Sequence, residues 1–320
     1  MLNVFLTTDV ELWCDGWRDI DAKFPDAFRR YIYGPTPTGE VGLRYQAALL
    51  REHGLTGVFF VEALFSGRFG LEPLSEIVGL VREQGHEVQL HLHTEWVDEW
   101  LVPPMAEVER KRQFMRNWTF EQQQILISEG RARLEKVGSG TVNCHRAGSF
   151  GFNADTLRAL ARCGIAFDAS YDACHGARES GVAPGRWLTD VCSESGVVEF
   201  PMTVYRTGTG RLRHAQIGAC SSSEIEGLLW SALEAGQRSF VVLTHNFELL
   251  NAAKDRADDV AVARFRRLCA FLSRHRDCFR VRGFNDPALP APGPQPEPLR
   301  SPLWKTAWRN CEQVYRRRYA

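Results

Sequence analysis

Short apolar runs rich in strand formers alternate along this chain with stretches whose apolar positions recur at three and four residues, so strands alternating with amphipathic helices are predicted. Residues 2–8 read as a strand that delivers Asp9 at its C-terminal end, and residues 11–40, with the turn-rich Gly34-Pro35-Thr36-Pro37-Thr38-Gly39, read as a long loop. A helix over 41–53 stops at Gly54, a strand covers 55–61, and a helix over 73–84 ends at Gly85. Residues 106–136 carry a long helical pattern interrupted near Asn117-Trp118-Thr119, where Thr119 and Gln122 have capping-box spacing. Further strands are expected at 141–144, 165–169, around Pro201 within 197–205, at 239–243 and at 279–281. Helices are expected at 153–163 with Asn153 as N-cap, from Ser221 or Ser222 to Ala235, and at 256–275, with a loop over 171–196.

Units of this kind argue for parallel βα repeats, and no glycine-rich phosphate fingerprint follows any strand. In a barrel of such units the chemistry gathers at the C-terminal strand ends, where Asp9, His91, His93, Arg146 and His245 all fall.

The chemistry is densest in Gly85-His86-Glu87-Val88-Gln89-Leu90-His91-Leu92-His93-Thr94-Glu95-Trp96. Its first half alternates like a strand, placing His91 and His93 on one face, with Glu95 two residues on. Same-face imidazoles with a carboxylate nearby can begin a metal site. Trp13, Trp17, Trp96 and Trp100 flank this region and suit either sugar rings or loop cores.

Composition narrows the class. The 320 residues, 44% hydrophobic, suit one large α/β domain with an appendage or two modest domains. Lys and Arg together equal Asp and Glu at 39 each, which removes any global attraction to nucleic acid, and none is expected as a partner. Nine scattered cysteines without a CxxC pair argue against a disulfide framework and against a thiolate zinc site, and point to reduced thiols. Together with a start lacking a signal pattern, they predict a cytoplasmic protein, and no run approaches a membrane span. The expected organisation is a catalytic domain over 1–285, a stiff proline-rich linker over 286–300, and a basic amphipathic tail over 301–320. That tail, with Trp304, Trp308, Val314 and Tyr315, either docks back on the domain or makes a peripheral contact with a membrane or partner protein.

Taken in order, Thr8-Asp9-Val10-Glu11, Gly85-His86-Glu87-Val88 with His91 and His93, Arg146-Ala147-Gly148, Phe167-Asp168, Phe200-Pro201 and Leu243-Thr244-His245 resemble the motifs of the polysaccharide deacetylase superfamily. This is the NodB-homology group, or carbohydrate esterase family 4, and the resemblance spans roughly residues 2–285. It is nearer the WbmS-like branch encoded with surface-polysaccharide genes. The resemblance implies a distorted (βα) barrel of about seven parallel strands holding a divalent metal, most often zinc, at the C-terminal strand ends. Its pattern has two adjacent aspartates; here Asp9 is followed by Val10, and Glu95 stands where the second histidine would be. The expected ligands are Asp9, His91 and His93, with Glu95 and Glu11 as substitutes. His245 is the expected acid, base duty falls on Asp9 or Glu11, Arg146 positions a carboxylate, and Asp168 orients His245 or Arg146. The expected activity is N-deacetylation of a nucleotide- or lipid-linked acetamido sugar in surface-polysaccharide synthesis. Hydrolysis of a small cyclic amide, or glycan or partner binding by a degenerate member, are the alternatives.

Overall fold

A computed structural model describes all residues except Glu107, Glu109, Gly176 and Ala320, together with the side chains of 317–319. Nine strands form the main sheet: β1 (Leu2–Val10), β2 (Gly57–Glu62), β3 (Glu87–Leu92), β4 (Cys144–Ala147), β5 (Phe167–Asp168), β6 (Cys192–Glu194), β7 (Val197–Glu199), β8 (Ser239–His245) and β9 (Phe279–Val281). Their order is β8-β1-β2-β3-β4-β5-β7-β6, with β9 beside the start of β1. All pairings are parallel except β6 with β7. Seven parallel strands, β8 through β7, with β9 an eighth beside β1, therefore curl into a half-barrel, in keeping with the expected distorted (βα) barrel of about seven strands. Its open side, between the β6–β7 pair and β8, is bridged by the chain at Thr203 and Ala215–Ile217, which bonds to Leu243.

The longer helices are α1 (Ile20–Phe28), α2 (Leu43–Glu52), α3 (Glu72–Arg82), α4 (Phe120–Lys136), α5 (Ala154–Arg162), α6 (Ser222–Glu234), α7 (Asp259–Arg274) and α8 (Leu303–Tyr319). Strand period decides what each residue faces. Val4, Leu6 and Val10 join the large core between sheet and helices, whereas Phe5 joins a separate cluster with Phe60, Phe200 and Phe284 inside the curl. Along β1 the inward set is thus Phe5, Thr7 and Asp9: aromatic at the bottom, polar at the mouth. The same alternation carries Phe60 to Glu62, Gln89 to His91, and Cys144 to Arg146.

Several elements differ from the sequence pattern. Residues 11–40 are not one loop: α1 continues into a π-turn over Arg29–Tyr33 and a two-residue hairpin follows. Pro25 sits inside α1 and hides an otherwise helical spacing of Ile20, Phe24, Ala27 and Tyr31. The helical pattern over 106–136 forms a helix only from Phe120, because the Thr119 and Gln122 box starts one there; Glu107 and Glu109 lie outside the described residues. The loop over 171–196 also contains a short helix, Ala177–Ser180, and β6.

Residues of the proline-rich stretch bond to the domain: the Gln295 side chain accepts from Thr189 N and Asp190 N at 2.7 and 3.0 Å, and Leu299–Arg300 pairs with Val204–Arg206. The final helix α8 docks by buried Arg309, whose Nη1 lies 3.1 Å from Glu224 Oε1, and by Arg316 on Asp258 at 2.6 Å. Its other face leaves Leu303, Trp304 and Trp308 exposed. No described helix is long and apolar enough to cross a membrane.

Candidate active site

The ends of β1, β2, β3, β4 and β8 lie level, since Asp9 pairs with His245, Glu62 with His91, and His91 with Arg146. Just past β1, Glu11 is pinned by Asn246, which accepts from its N–H at 2.9 Å and donates to its carbonyl at 3.0 Å. Trp13 donates to Glu11 Oε2 at 2.9 Å, which turns Oε1 toward two imidazoles. His93 Nε2 lies 2.9 Å and His91 Nε2 3.3 Å from that one oxygen.

His91 Nδ1 lies 2.8 Å from the Arg146 carbonyl, which can only accept, so this nitrogen carries the proton and Nε2 presents a lone pair to Glu11. Two acceptors facing each other require a proton or a cation between them. Donors held about 2.0–2.2 Å from zinc would sit roughly 3.3 Å apart, close to the spacing here, so the set of Glu11, His91 and His93 fits a divalent ion of that type. Burial alone would raise the Glu11 carboxyl, but His93 and His91 outweigh it and hold it well below the usual carboxylate range. Burial likewise opposes charge on His93, while Glu11 and Glu95 lift its pKa well above that of a free imidazole.

Beneath them Glu62 accepts from Leu64 N at 2.5 Å and from the His93 N–H, tying the strand end in place. Burial pushes its carboxyl up to about 8, with His93 acting in the opposite direction. Gly148 closes the motif after Arg146 for a steric reason: a Cβ there would stand 2.7 Å from the His93 ring.

Asp9 belongs to a second grouping. Its Oδ1 lies 2.6 Å from Arg146 Nη1, and that guanidinium is fully buried, donating also to Thr7 Oγ1 (2.9 Å) and the Ala169 carbonyl (3.0 Å) above the Phe60 ring. Donor atoms of Asp9, Glu11 and His245 lie within 4.8 Å of one another. His245 donates from Nδ1 to Glu248 Oε2 at 2.9 Å, leaving Nε2 for the site. Burial works against its charge, yet Glu248 first, then Glu11 and Asp9, push its pKa up to about 9.

Among the expected residues, the structure brings Asp9, Glu11, His91, His93, Arg146 and His245 to one mouth. The carboxylate facing both histidines is that of Glu11, and Asp9 faces Arg146 and His245. Glu95 lies 3.4 Å from His93 Nδ1, on the side away from Glu11. Asp168 touches neither His245 nor Arg146; it accepts from His145 and Ser170 at 2.7 and 2.9 Å. Glu62, Glu248 and the bracing role of Asn246 escaped the sequence pattern. Only the inward position of Glu62 at the end of β2 could have flagged one of them. Of the tryptophans, Trp96 and Trp100 are loop core, while Trp13 and Trp17 are half-buried, with Trp13 edge-on to His93 at 4.7 Å.

No protein-family model and no curated protein matches the sequence. Solved structures do. A Mycobacterium smegmatis protein assigned to the polysaccharide deacetylases is 18% identical, with TM-score 0.54 over 88% of this chain and 87% of that one. A family 4 carbohydrate esterase from Streptomyces lividans, solved with acetate, is 14% identical at TM-score 0.44, covering 91% and 98%. A family 4 pseudoenzyme from Bacillus anthracis is 10% identical at TM-score 0.41, covering 87% and 66%. The curled parallel half-barrel is thus the polysaccharide deacetylase fold.

Proposed function

We propose that this chain is a metal-dependent carbohydrate N-deacetylase that removes the acetyl group from a nucleotide- or lipid-linked acetamido sugar in cytoplasmic surface-polysaccharide synthesis. The observation that carries the proposal is one Glu11 oxygen facing two histidine nitrogens, flanked by the Asp9–Arg146 and His245–Glu248 pairs. Glu11, His91 and His93 are the proposed ligands. A divalent ion there, zinc by donor type, supplies Lewis acidity and hydroxide near neutral pH.

The chain's own residues do the rest. Arg146 holds Asp9 Oδ1, and the other oxygen, which has no hydrogen bond among the described residues, is placed to take the proton of the attacking water. His245, kept charged by Glu248, protonates the departing sugar amine from Nε2. The half-buried Trp13 and Trp17 offer apolar faces to a pyranose ring. Nine free cysteines accord with a reducing compartment. The exposed Leu303, Trp304 and Trp308 of α8 give a lipid-linked substrate's membrane, or a partner protein, an apolar face to meet.

Metal analysis and acetate release test the assignment together. Asp9→Asn is expected to keep its metal and lose at least about 100-fold in turnover, while Glu11→Ala and His91→Ala lose both. Full turnover after complete metal removal overturns the mechanism, and metal loss in Asp9→Asn overturns the division of roles.

A further inference from the structure

A second place in the molecule repeats the pattern of one carboxylate oxygen facing two imidazoles. Asp172 is fully buried just beyond β5, and its Oδ2 lies 2.6 Å from His214 Nδ1 and 2.9 Å from His175 Nδ1. Its Oδ1 accepts from Cys174 N at 2.8 Å, folding the loop so that the Cys174 sulfur joins them. The donor atoms of Asp172, Cys174 and His214 lie within 4.8 Å of one another.

The proton inventory of His214 is fixed from outside. Glu248 can only accept, so the Gln216 amide gives it both Nε2 contacts, at 2.9 and 3.1 Å, and turns Oε1 to His214 Nε2 at 2.9 Å. The neutral His214 ring therefore carries its proton on Nε2 and aims a lone pair from Nδ1 at the Asp172 carboxylate. His175 can meet that oxygen as an ordinary N–H donor; His214 cannot without an extra proton or a cation.

We infer that Asp172, Cys174 and His214 form a second metal site, for a zinc-type divalent ion, distinct from the one at Glu11, with His175, whose side chain is 60% exposed beside Asp172, free to swing in as a fourth donor. One thiolate, one imidazole and one carboxylate are zinc donors already gathered, and the His175 imidazole closes the tetrahedral set of the structural kind when it turns inward. Tetrahedral donors sit roughly 3.3 Å apart, so Oδ2 and His214 Nδ1, now 2.6 Å apart, separate by about 0.7 Å on loading. The Cys174 thiol gives up its proton to solvent as the metal–sulfur bond forms. Gln216 is then the outer partner that orients a ligand histidine, and its other end holds Glu248. The site ties the loop after β5 to Leu212–His214, a short strand antiparallel to Val204–Arg206, and, through Gln216 and Glu248, steadies His245.

The test needs no substrate. The metal-free full-length chain is loaded with cobalt(II), and the thiolate-to-cobalt charge-transfer band is followed in the near ultraviolet. The band is expected in the wild type and in His91→Ala, whose other site holds no sulfur, and is absent in Cys174→Ser. Zinc content is expected near two equivalents in the wild type and about one in either variant. Alkylation of wild-type Cys174, mapped by mass spectrometry with and without zinc, needs no variant to fold, and zinc is expected to protect this thiol. Absence of the band from the wild type, its persistence in Cys174→Ser, or unprotected Cys174 at saturating zinc each overturns the inference. Loss of metal from the Glu11 site alone leaves the band in place, so the two sites fail separately.

Discussion

Arg146 is the residue whose replacement separates structure from chemistry most cleanly. It is wholly buried on β4, and its guanidinium reaches to both sides: to Asp9 and Thr7 on β1 by Nη1, and to the chain after β5 by Nε on the Ala169 carbonyl. Arg146→Met keeps much of the volume but leaves the nearly buried Asp9 without its counter-charge, a loss of about 3–5 kcal/mol in unfolding free energy. Arg146→Lys keeps the charge, but one ammonium cannot hold Asp9 and the Ala169 carbonyl together, so about 1.5–3 kcal/mol is lost. The assay is urea unfolding of metal-free protein, for Arg146→Met, Asp9→Asn and the double variant. Because most of the cost is the stranded carboxylate, the double variant should fall short of the summed single costs by on the order of 2 kcal/mol or more. Acetate release should meanwhile drop by about 100-fold or more in Arg146→Lys with metal content unchanged, since Asp9 loses its aim rather than its charge. Strict additivity in the cycle would show that Arg146 acts only by packing on Phe60, and the positioning role would fall.

The His245–Glu248 pair makes stability depend on pH. The imidazole rises from about 6.5 unfolded to about 9 folded, so its contribution is complete below pH about 6.5 and is lost as pH climbs through about 9. Glu248→Gln, measured by thermal unfolding across that window, should flatten the loss and move the alkaline limb of turnover toward neutral pH; an unmoved limb would remove His245 as the acid. For α8, Arg309→Met strands buried Glu224 and should cost about 3–5 kcal/mol, whereas Trp304→Ser on the outward face should change stability by no more than about 0.5 kcal/mol. Equal costs in urea unfolding would mean that the helix is not docked by its arginine face.

The strand residues that carry chemistry were legible because period two is a strict rule. His91 and His93 share a face in any strand, and Asp9, Arg146 and His245 each stand at the end of an apolar run. What stayed hidden has physical reasons. Glu248 acts from a turn after β8, where no periodicity exists, and its meaning depends on Gln216 and Gly218 from a distant bridge. Asp168 ends β5 with the same signal as Asp9, but the neighbour that decides its role, His145, is supplied across the sheet, and the local Ser170 then closes on the same carboxylate. Helix α1 was obscured because Pro25 is read as a breaker, though the missing N–H at one position is tolerated when Phe24 and Ala27 bury against the rest.

The Asp-Val-Glu spacing is where alternation explains a departure from adjacent carboxylates. Neighbouring residues on a strand point to opposite faces, and Val10, paired with Val61, is buried among the apolar side chains between sheet and helices. Asp9 and Glu11, two apart, both reach the barrel mouth, and Asn246 holds the chain on course after β1 ends. A carboxylate at position 10 would therefore face hydrocarbon, not the histidines. Val10→Asp in a Glu11→Ala background should neither restore metal binding nor turnover, and should lower unfolding free energy by about 2 kcal/mol or more through an unpaired buried polar group. Metal content and urea unfolding decide it. Recovery of metal would mean that the chain after β1 can turn over, and that the two carboxylates are set by sequence adjacency rather than by the face each residue occupies.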